Sequence, residues 1–232
     1  MVTAPASHSQ TRTAKPAPPQ DRPPTVERIT NTLFRVGKVM VDTVARQVVC
    51  NGVINMDSGA IEYLAVSPGG KLHESLLKIE ARPIHLQVAL ILLNLEPHNN
   101  LKYQGDSATP LGAPLSITIR WKDLRTGAQR SERAEALISE MPLQNKREKD
   151  KEKNGGPHNW VFTGSRVLKE VGFEADAEGS IIAVWHDPAA IIDNPSPDGA
   201  ENNHSVSRSC PPRNTPIELV ITAANSAPAA GR

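Results

Sequence analysis

Aromatic residues make up only 3% of this 232-residue chain, and cysteine occurs twice. So few aromatic rings leave little to stack bases or sugars on. Two cysteines are too few for an iron–sulfur cluster, which needs four thiolates. Neither sign of charge is in excess: 26 Lys and Arg face 25 Asp and Glu, for a net charge of +1. The chain therefore has no field to recruit nucleic acid or an anionic membrane, and no nucleic-acid partner is expected. No apolar run reaches the roughly 18–20 residues needed to cross a bilayer. The longest, Leu86 to Leu95, still contains Gln87 and Asn94, so no transmembrane span is expected.

Several enzyme signatures are missing as well. Gly69-Gly70-Lys71 is followed by Leu72 and has no glycine at the earlier position that a phosphate loop requires. His73-Glu74 has Leu77 where a zinc-protease helix would place its second histidine. Thr163-Gly164-Ser165-Arg166 lacks the second glycine of a nucleophile elbow.

What is present divides the chain. Residues 1–25 are rich in Pro, Ala, Ser and Thr and almost without large apolar side chains, so they cannot offset the entropy of ordering. They read as a disordered tether, and 225–232 (NSAPAAGR) as a disordered tail. Residues 26–224 form a single folded domain with two polar insertions, at 145–156 and 194–214. The first, NKREKDKEKNGG, carries five basic and three acidic residues and reads as a solvated excursion. The spacer composition resembles that of a segment following an export signal, and the expectation is that a signal peptide or lipid anchor preceded it. It favours a periplasmic or envelope-associated protein over the alternative, a cytoplasmic one.

Short apolar-rich segments separated by turn residues predict strands from Leu33 to Asp42, then Arg46 to Cys50, with a turn or bulge at Asn51-Gly52. Strands follow at Val53–Met56, Ala60–Ser67 and Glu74–Ile79, bent around the Pro68-Gly69-Gly70 corner. Pro83 suits the first turn of a helix, and Pro97 would end it. Residues 83–95 are apolar in nearly every helical direction, so the helix should be buried on most sides. Later strands are predicted at Pro114–Trp121, Ala128–Arg133, Asn159–Thr163, Gly179–His186 and Pro216–Thr222. The expected fold class is α+β: mostly antiparallel meandering sheet packed on one long apolar helix.

Polar residues gather at strand and helix ends. His73, Glu74 and Ser75 follow the glycine corner, and His85 lies in the first helical turn. If the helix folds back over the hairpin, His73, Glu74 and His85 would offer two imidazoles and a carboxylate to a divalent metal. The alternative is local: a Glu or Ser after a glycine corner satisfies loop backbone N–H groups, and a histidine near a helix start hydrogen-bonds locally. A Ser75-based nucleophile would need a histidine and an aspartate placed by geometry alone. Trp160 and Trp185 read as half-buried core residues with satisfied indole N–H groups, or alternatively as walls of an apolar pocket. Cys50 and Cys210 are either free thiols or a disulfide, which would stabilise by about 4–5 kcal/mol in the chain-entropy model.

The segments SPGGKLHESLLKIEARPIHLQVALILLNLEP, GGPHNWVFTGSRV and GSIIAVWHDPAAIIDNP, in that order, resemble the YdjY-domain family of bacterial proteins. The upstream run FRVGKVMVDTVARQVVCNGVINMDSGAIEYLAV is similar to that family's start. The resemblance covers Leu33 to Ile221 and implies an exported or lipid-anchored envelope protein. The positions matching its motifs are Gly69, Gly70, His73, Glu74, Ser75, His85, Trp160, Gly164, Ser165, Asp187, Pro188, Asp193, Asn194 and Pro195, and it implies no catalytic role for any of them. Together these observations lead to an expected non-enzymatic extracytoplasmic domain, without a cofactor, that contacts a partner protein or envelope component. The competing expectation is a metal-dependent hydrolase or small-ligand-binding protein using His73, Glu74 and His85.

Overall fold

The computed structural model describes residues 23–140 and 160–224. Most of the tether, the 145–156 insertion and the tail lie outside the described residues.

Three short strands come first: β1 (Val26–Arg28), β2 (Leu33–Val36) and β3 (Val39–Asp42). Next come β4 (Gln47–Ile54), β5 (Tyr63–Val66), β6 (Ser75–Ile79) and helix α1 (Pro83–Leu92). After the helix run β7 (Ala113–Lys122), β8 (Gln129–Arg133) and β9 (Ile138–Glu140). The remainder holds β10 (Trp160–Phe162), β11 (Val167–Leu168), β12 (Gly172–Phe173) and the short helix α2 (Glu174–Glu178). It ends with β13 (Ser180–Ala183), β14 (Ile192–Asp193), β15 (His204–Val206) and β16 (Pro216–Ala223).

Eight of these strands close into a barrel, in the order β4–β16–β7–β10–β14–β13–β5–β6, with β6 returning to β4. A ring of eight is just wide enough to be filled by its own side chains. Alternation does the filling along the long strands: Val48, Cys50 and Ile54, Leu115, Ile117 and Ile119, and Ile217, Leu219 and Ile221 are buried, while Glu218 and Arg120 are exposed. Leu219 sits opposite Cys50 on one side and Ile119 on the other.

Two strands are shared between the ring and its outgrowths. The first half of β4 pairs with β3, which carries β2 and β1 outward, and its second half pairs with β6 to close the ring. Likewise β7 pairs with β10 at Ala113–Leu115 and with β8 at Thr118–Lys122. At the β4–β6 seam Gly52 makes the approach possible: a β-carbon there would lie 2.5 Å from the Lys78 carbonyl oxygen. The Asn51-Gly52 pair is thus a strand interior at a junction rather than a turn.

The expected sheet on a long helix is therefore corrected. The protein is mainly β, and its core lies inside a closed barrel, because short strands that twist strongly curl until β6 meets β4. Nor is the topology an antiparallel meander throughout, since β5–β6 and β13–β14 are parallel pairs. The helix spans Pro83–Leu92 rather than 83–95. Asn94 stops it before Pro97 can, adopting φ 60° while its N–H bonds the Ile91 carbonyl at 2.8 Å. Helix α1 lies against β2, β3, the start of β4 and α2, with Leu86, Ala89 and Leu90 buried and Ile91 exposed.

The polar stretch 194–214 is likewise more ordered in form than expected. It contains a 3₁₀ turn at Pro197–Ala200 and strand β15, which pairs with β9, and it buries Asn203 and His204. Both cysteines are free, so the disulfide alternative is removed. Cys50 is buried in the main core and Cys210 packs against that core. Burial pushes the Cys50 thiol up to about 12; burial, joined by the Asp57 charge, pushes Cys210 up to about 12 as well.

Candidate functional site

The two parallel pairs set up the site. Parallel strands need a crossover, and here each crossover is short: residues 67–74 join β5 to β6, and residues 184–191 join β13 to β14. Strands β5 and β13 pair with each other, so the crossovers are neighbours. Both strands are buried along their whole length, as parallel strands covered on both faces should be. A second small apolar cluster of Tyr63, Val66, Ala183 and Ala190, joined by Leu72, lies beneath the crossovers.

Local sequence explains their paths. Ser67 to Gly70 forms a turn closed by Gly70 N–H donating to the Ser67 carbonyl at 2.9 Å. Gly70 is required because a β-carbon there would lie 2.9 Å from the Gly179 carbonyl oxygen, whereas Gly69 faces open space. Leu72–Glu74 is one 3₁₀ turn, after which Ser75 enters β6. The Ser75 hydroxyl donates to the Lys71 carbonyl at 2.6 Å, and buried Asn55 donates to the carbonyls of Leu72 and Ser75. Ser75 is thus a clasp for its own loop.

In the second crossover, Asp187 and Asp193 form a nested pair. Asp187 N–H donates to Asp193 Oδ2 at 2.9 Å, Asn194 N–H donates to Asp193 Oδ1, and Ala189 N–H donates to Asp187 Oδ1. Burial raises the pKa of the Asp193 carboxyl well above the usual range, and the Asp187 charge adds to this. Asn99 donates to both the Pro188 and Gly164 carbonyls, and Asn194 donates to the Val184 carbonyl. Ser165 receives Ala175 N–H on its hydroxyl and donates its own N–H to Gln87. These motif residues tie loops together. Trp160 is buried with its indole N–H donating to Glu135, as a core tryptophan should be.

The crossovers meet at Tyr63. Its hydroxyl donates to Asp187 Oδ2 at 2.8 Å, and Lys71 Nζ donates to the Tyr63 hydroxyl oxygen at 3.1 Å. Lys71 also reaches Gln104 Oε1 at 3.4 Å and Glu74 Oε1 at 3.6 Å. Gln104 Nε2 donates to Glu62 Oε2 at 3.0 Å, and Asn202 donates to Glu62 Oε1 at 2.6 Å. Burial, with the Asp187 carboxylate beside it, raises the Tyr63 hydroxyl above its ordinary value. Burial and the Glu74 charge raise Glu62, and burial with the Asp187 and Glu174 charges raises Glu178. The phenol thus keeps its proton and is a poor base or nucleophile. The more accessible rim, formed by Glu62, Glu74 and His73, offers acceptors to a donor or a cation.

The expected metal trio does not assemble. His73 extends into solvent with a side chain 80% exposed, its ring 3.6 Å from Glu74. His85 faces the β2–β3 turn instead, where a β-carbon on Gly37 would lie 2.1 Å from its Nδ1. Burial and the Arg82 charge lower the His85 pKa, with Asp176 opposing. Asp176 itself accepts from Ile84 N–H at the start of α1 and pairs with Arg82, which holds α1 to α2. Among the described residues no three His, Cys, Asp or Glu side chains are placed to hold a metal ion. Of the sequence candidates only Glu74 and Asp187 join the Tyr63 network, through Lys71 and Tyr63 itself.

Sequence reasoning missed Glu62, Tyr63, Lys71 and Gln104. Tyr63 is one of two tyrosines and sits in the apolar run YLAV, where a polar tip asks for a buried partner. Gln104 gave no signal.

No curated protein and no solved structure matches the chain. A family model described as YdjY domain matches residues 39–222, which include the barrel strands, both crossovers and the Tyr63 network. The chain therefore belongs to the YdjY-domain family.

Proposed function

We propose that this barrel is a non-catalytic binding domain of the cell envelope, which contacts a partner protein or envelope component through the rim of the crossover corner. The observation that carries this reading is how hydrogen bonds are distributed there. Tyr63 bonds Asp187 and Lys71, Lys71 also bonds Gln104, and Asp187 is further held by Ala189 and Asp193. His73 and Glu74 keep side-chain area in solvent, at 80% and 20%. A rigid, satisfied base with acceptors at its edge suits recognition of a basic or donor-rich surface more than turnover.

The test is capture from an envelope extract by the immobilised full chain, compared with an H73A/E74Q double variant. Loss of a captured component in the variant, with binding that weakens as salt rises, is the expected result. Equal capture by both proteins, or none by either, overturns the proposal. The metal-dependent alternative loses its ligand set, because His85 lies by Gly37 rather than beside His73.

A further inference from the structure

Arg133 and Arg166 use their guanidinium groups alike. Each turns its Nε–Nη2 edge to a glutamate, Glu135 and Glu174 respectively, with both nitrogens donating. That edge matches the two oxygens of a carboxylate. Arg46 departs from the pattern. Its Nη1 donates to the Leu93 carbonyl at 3.3 Å, but its Nε is buried without an acceptor. Nor does Nη2 find an acceptor among the described residues, so the whole fork is unfilled. An unmet N–H on a buried guanidinium nitrogen costs free energy, and its retention asks for a reason.

The position of Arg46 supplies one. It ends the turn after β3 with φ 52°, a left-handed angle that a residue with a side chain adopts only at a cost. Its carbonyl accepts from Ala223 N–H at 3.0 Å, which fixes it against the end of β16. Asn94, just after α1, has a similar angle, φ 60°. Among the described residues three non-glycine residues have such angles, and these two line one cleft of about 610 Å³. Leu95, Pro97, Leu111, Ala113 and Pro114 give the cleft apolar walls. Its size and lining suit a small ligand with an apolar body and one polar head.

We propose that this cleft binds a small aliphatic carboxylate, whose two oxygens fill the Nε–Nη2 fork of Arg46 while its hydrocarbon lies against the apolar walls. Asn94 and His98, both exposed at the cleft, offer further donors. Glu96 also lines the cleft, and its charge opposes the ligand's. It forms no ion pair with Arg46, and water screens its exposed carboxylate. The fork therefore outweighs it. The cleft shares no residue with the crossover corner, so it works whether or not a partner binds there.

The test titrates the full chain with sodium hexanoate and follows backbone amide and arginine Nε–H signals by NMR. Hexylamine at equal ionic strength is the charge-reversed probe, and acetate the probe without an apolar body. Hexanoate alone should give saturable shifts at Asn94, Leu95, Leu111 and Ala113, together with a shift of Arg46 Nε–H. Arg46→Gln should weaken hexanoate binding at least about tenfold, the loss of a charge-assisted fork. Arg46→Lys keeps the charge without the fork and should not restore affinity. Glu96→Gln should tighten binding by removing the like charge. Leu111→Glu leaves the Arg46 turn untouched and should also weaken binding, which keeps the test valid if Arg46 variants misfold. No saturable shift with hexanoate overturns the proposal, as do equal shifts with hexylamine or equal affinity for acetate. So does hexanoate affinity unchanged in Arg46→Gln or in Leu111→Glu.

Discussion

The barrel has two walls, built differently. In one, β4, β16 and β7 are long antiparallel strands of eight to ten residues whose inward side chains are apolar and whose outward ones are largely polar. In the other, β14, β13, β5 and β6 are short, buried on both faces, and joined by crossovers rich in polar groups. The first wall is held by burial of hydrocarbon, which hardly responds to pH. The second also buries carboxyl groups: Asp187 and Asp193 are both buried there, and burial raises the Asp193 pKa. Buried polarity is concentrated in the wall that least resembles an ordinary half-exposed sheet.

This contrast can be tested by substitution. Leu219→Ala, at the centre of the antiparallel wall, should cost about 2–5 kcal/mol by leaving a cavity among Cys50 and Ile119. Chemical denaturation should return the same loss at pH 5 and pH 8; a strongly pH-dependent loss would erase the distinction between the walls. Gly52→Ala strikes the seam between them and should cost about 3 kcal/mol, the upper part of the overpacking range. Its β-carbon would meet backbone of β6, so the hydrogen-exchange damage should centre on β4 and β6.

Tyr63→Phe tests the polar wall by leaving Asp187 Oδ2 without its donor, at about 1–3 kcal/mol. A loss below 0.5 kcal/mol, roughly surface-substitution scale, would show the network to be dispensable. Smallest of all is Arg35→Ala, which removes a half-exposed pair with Glu27 on the β1–β2 outgrowth. About 0.2–1 kcal/mol is expected in thermal melts, shrinking with salt.

Much of the antiparallel wall was legible in the sequence. PLSITIRW and PIELVIT alternate as strands with one buried face do, and they became β7 and β16 within a residue or two. The parallel wall was harder to read. YLAV and SIIA are continuous apolar runs, and periodicity alone does not say what covers them or which way their neighbours run. Closure of the ring depends on Gly52 meeting Lys78, residues far enough apart that nothing local links them. The apolar segment 83–95 looked like a longer helix because Asn94 marks its end only through a left-handed backbone angle.

The site divides in the same manner. His73, Glu74 and Ser75 were visible as a polar triplet after a glycine corner, but Ser75 serves its loop by donating to the Lys71 carbonyl rather than by satisfying backbone N–H groups. The union of Lys71 with Tyr63 and Asp187 was not visible, since it joins residues 8 and 124 positions from Tyr63 across two crossovers. His85 misled because a helix start next to the hairpin in sequence lies against a different hairpin in space.

Strand β4 divides one edge between two neighbours, β3 along its first half and β6 along its second. Peeling away the leading hairpin would therefore leave the hoop intact. Damage should arrive in instalments, the N-terminal tongue and the helix resting on it detaching before the staves separate. A molecule built that way can loosen at its rim, yield ground to a neighbour or a protease, and close again without ever losing its cylinder.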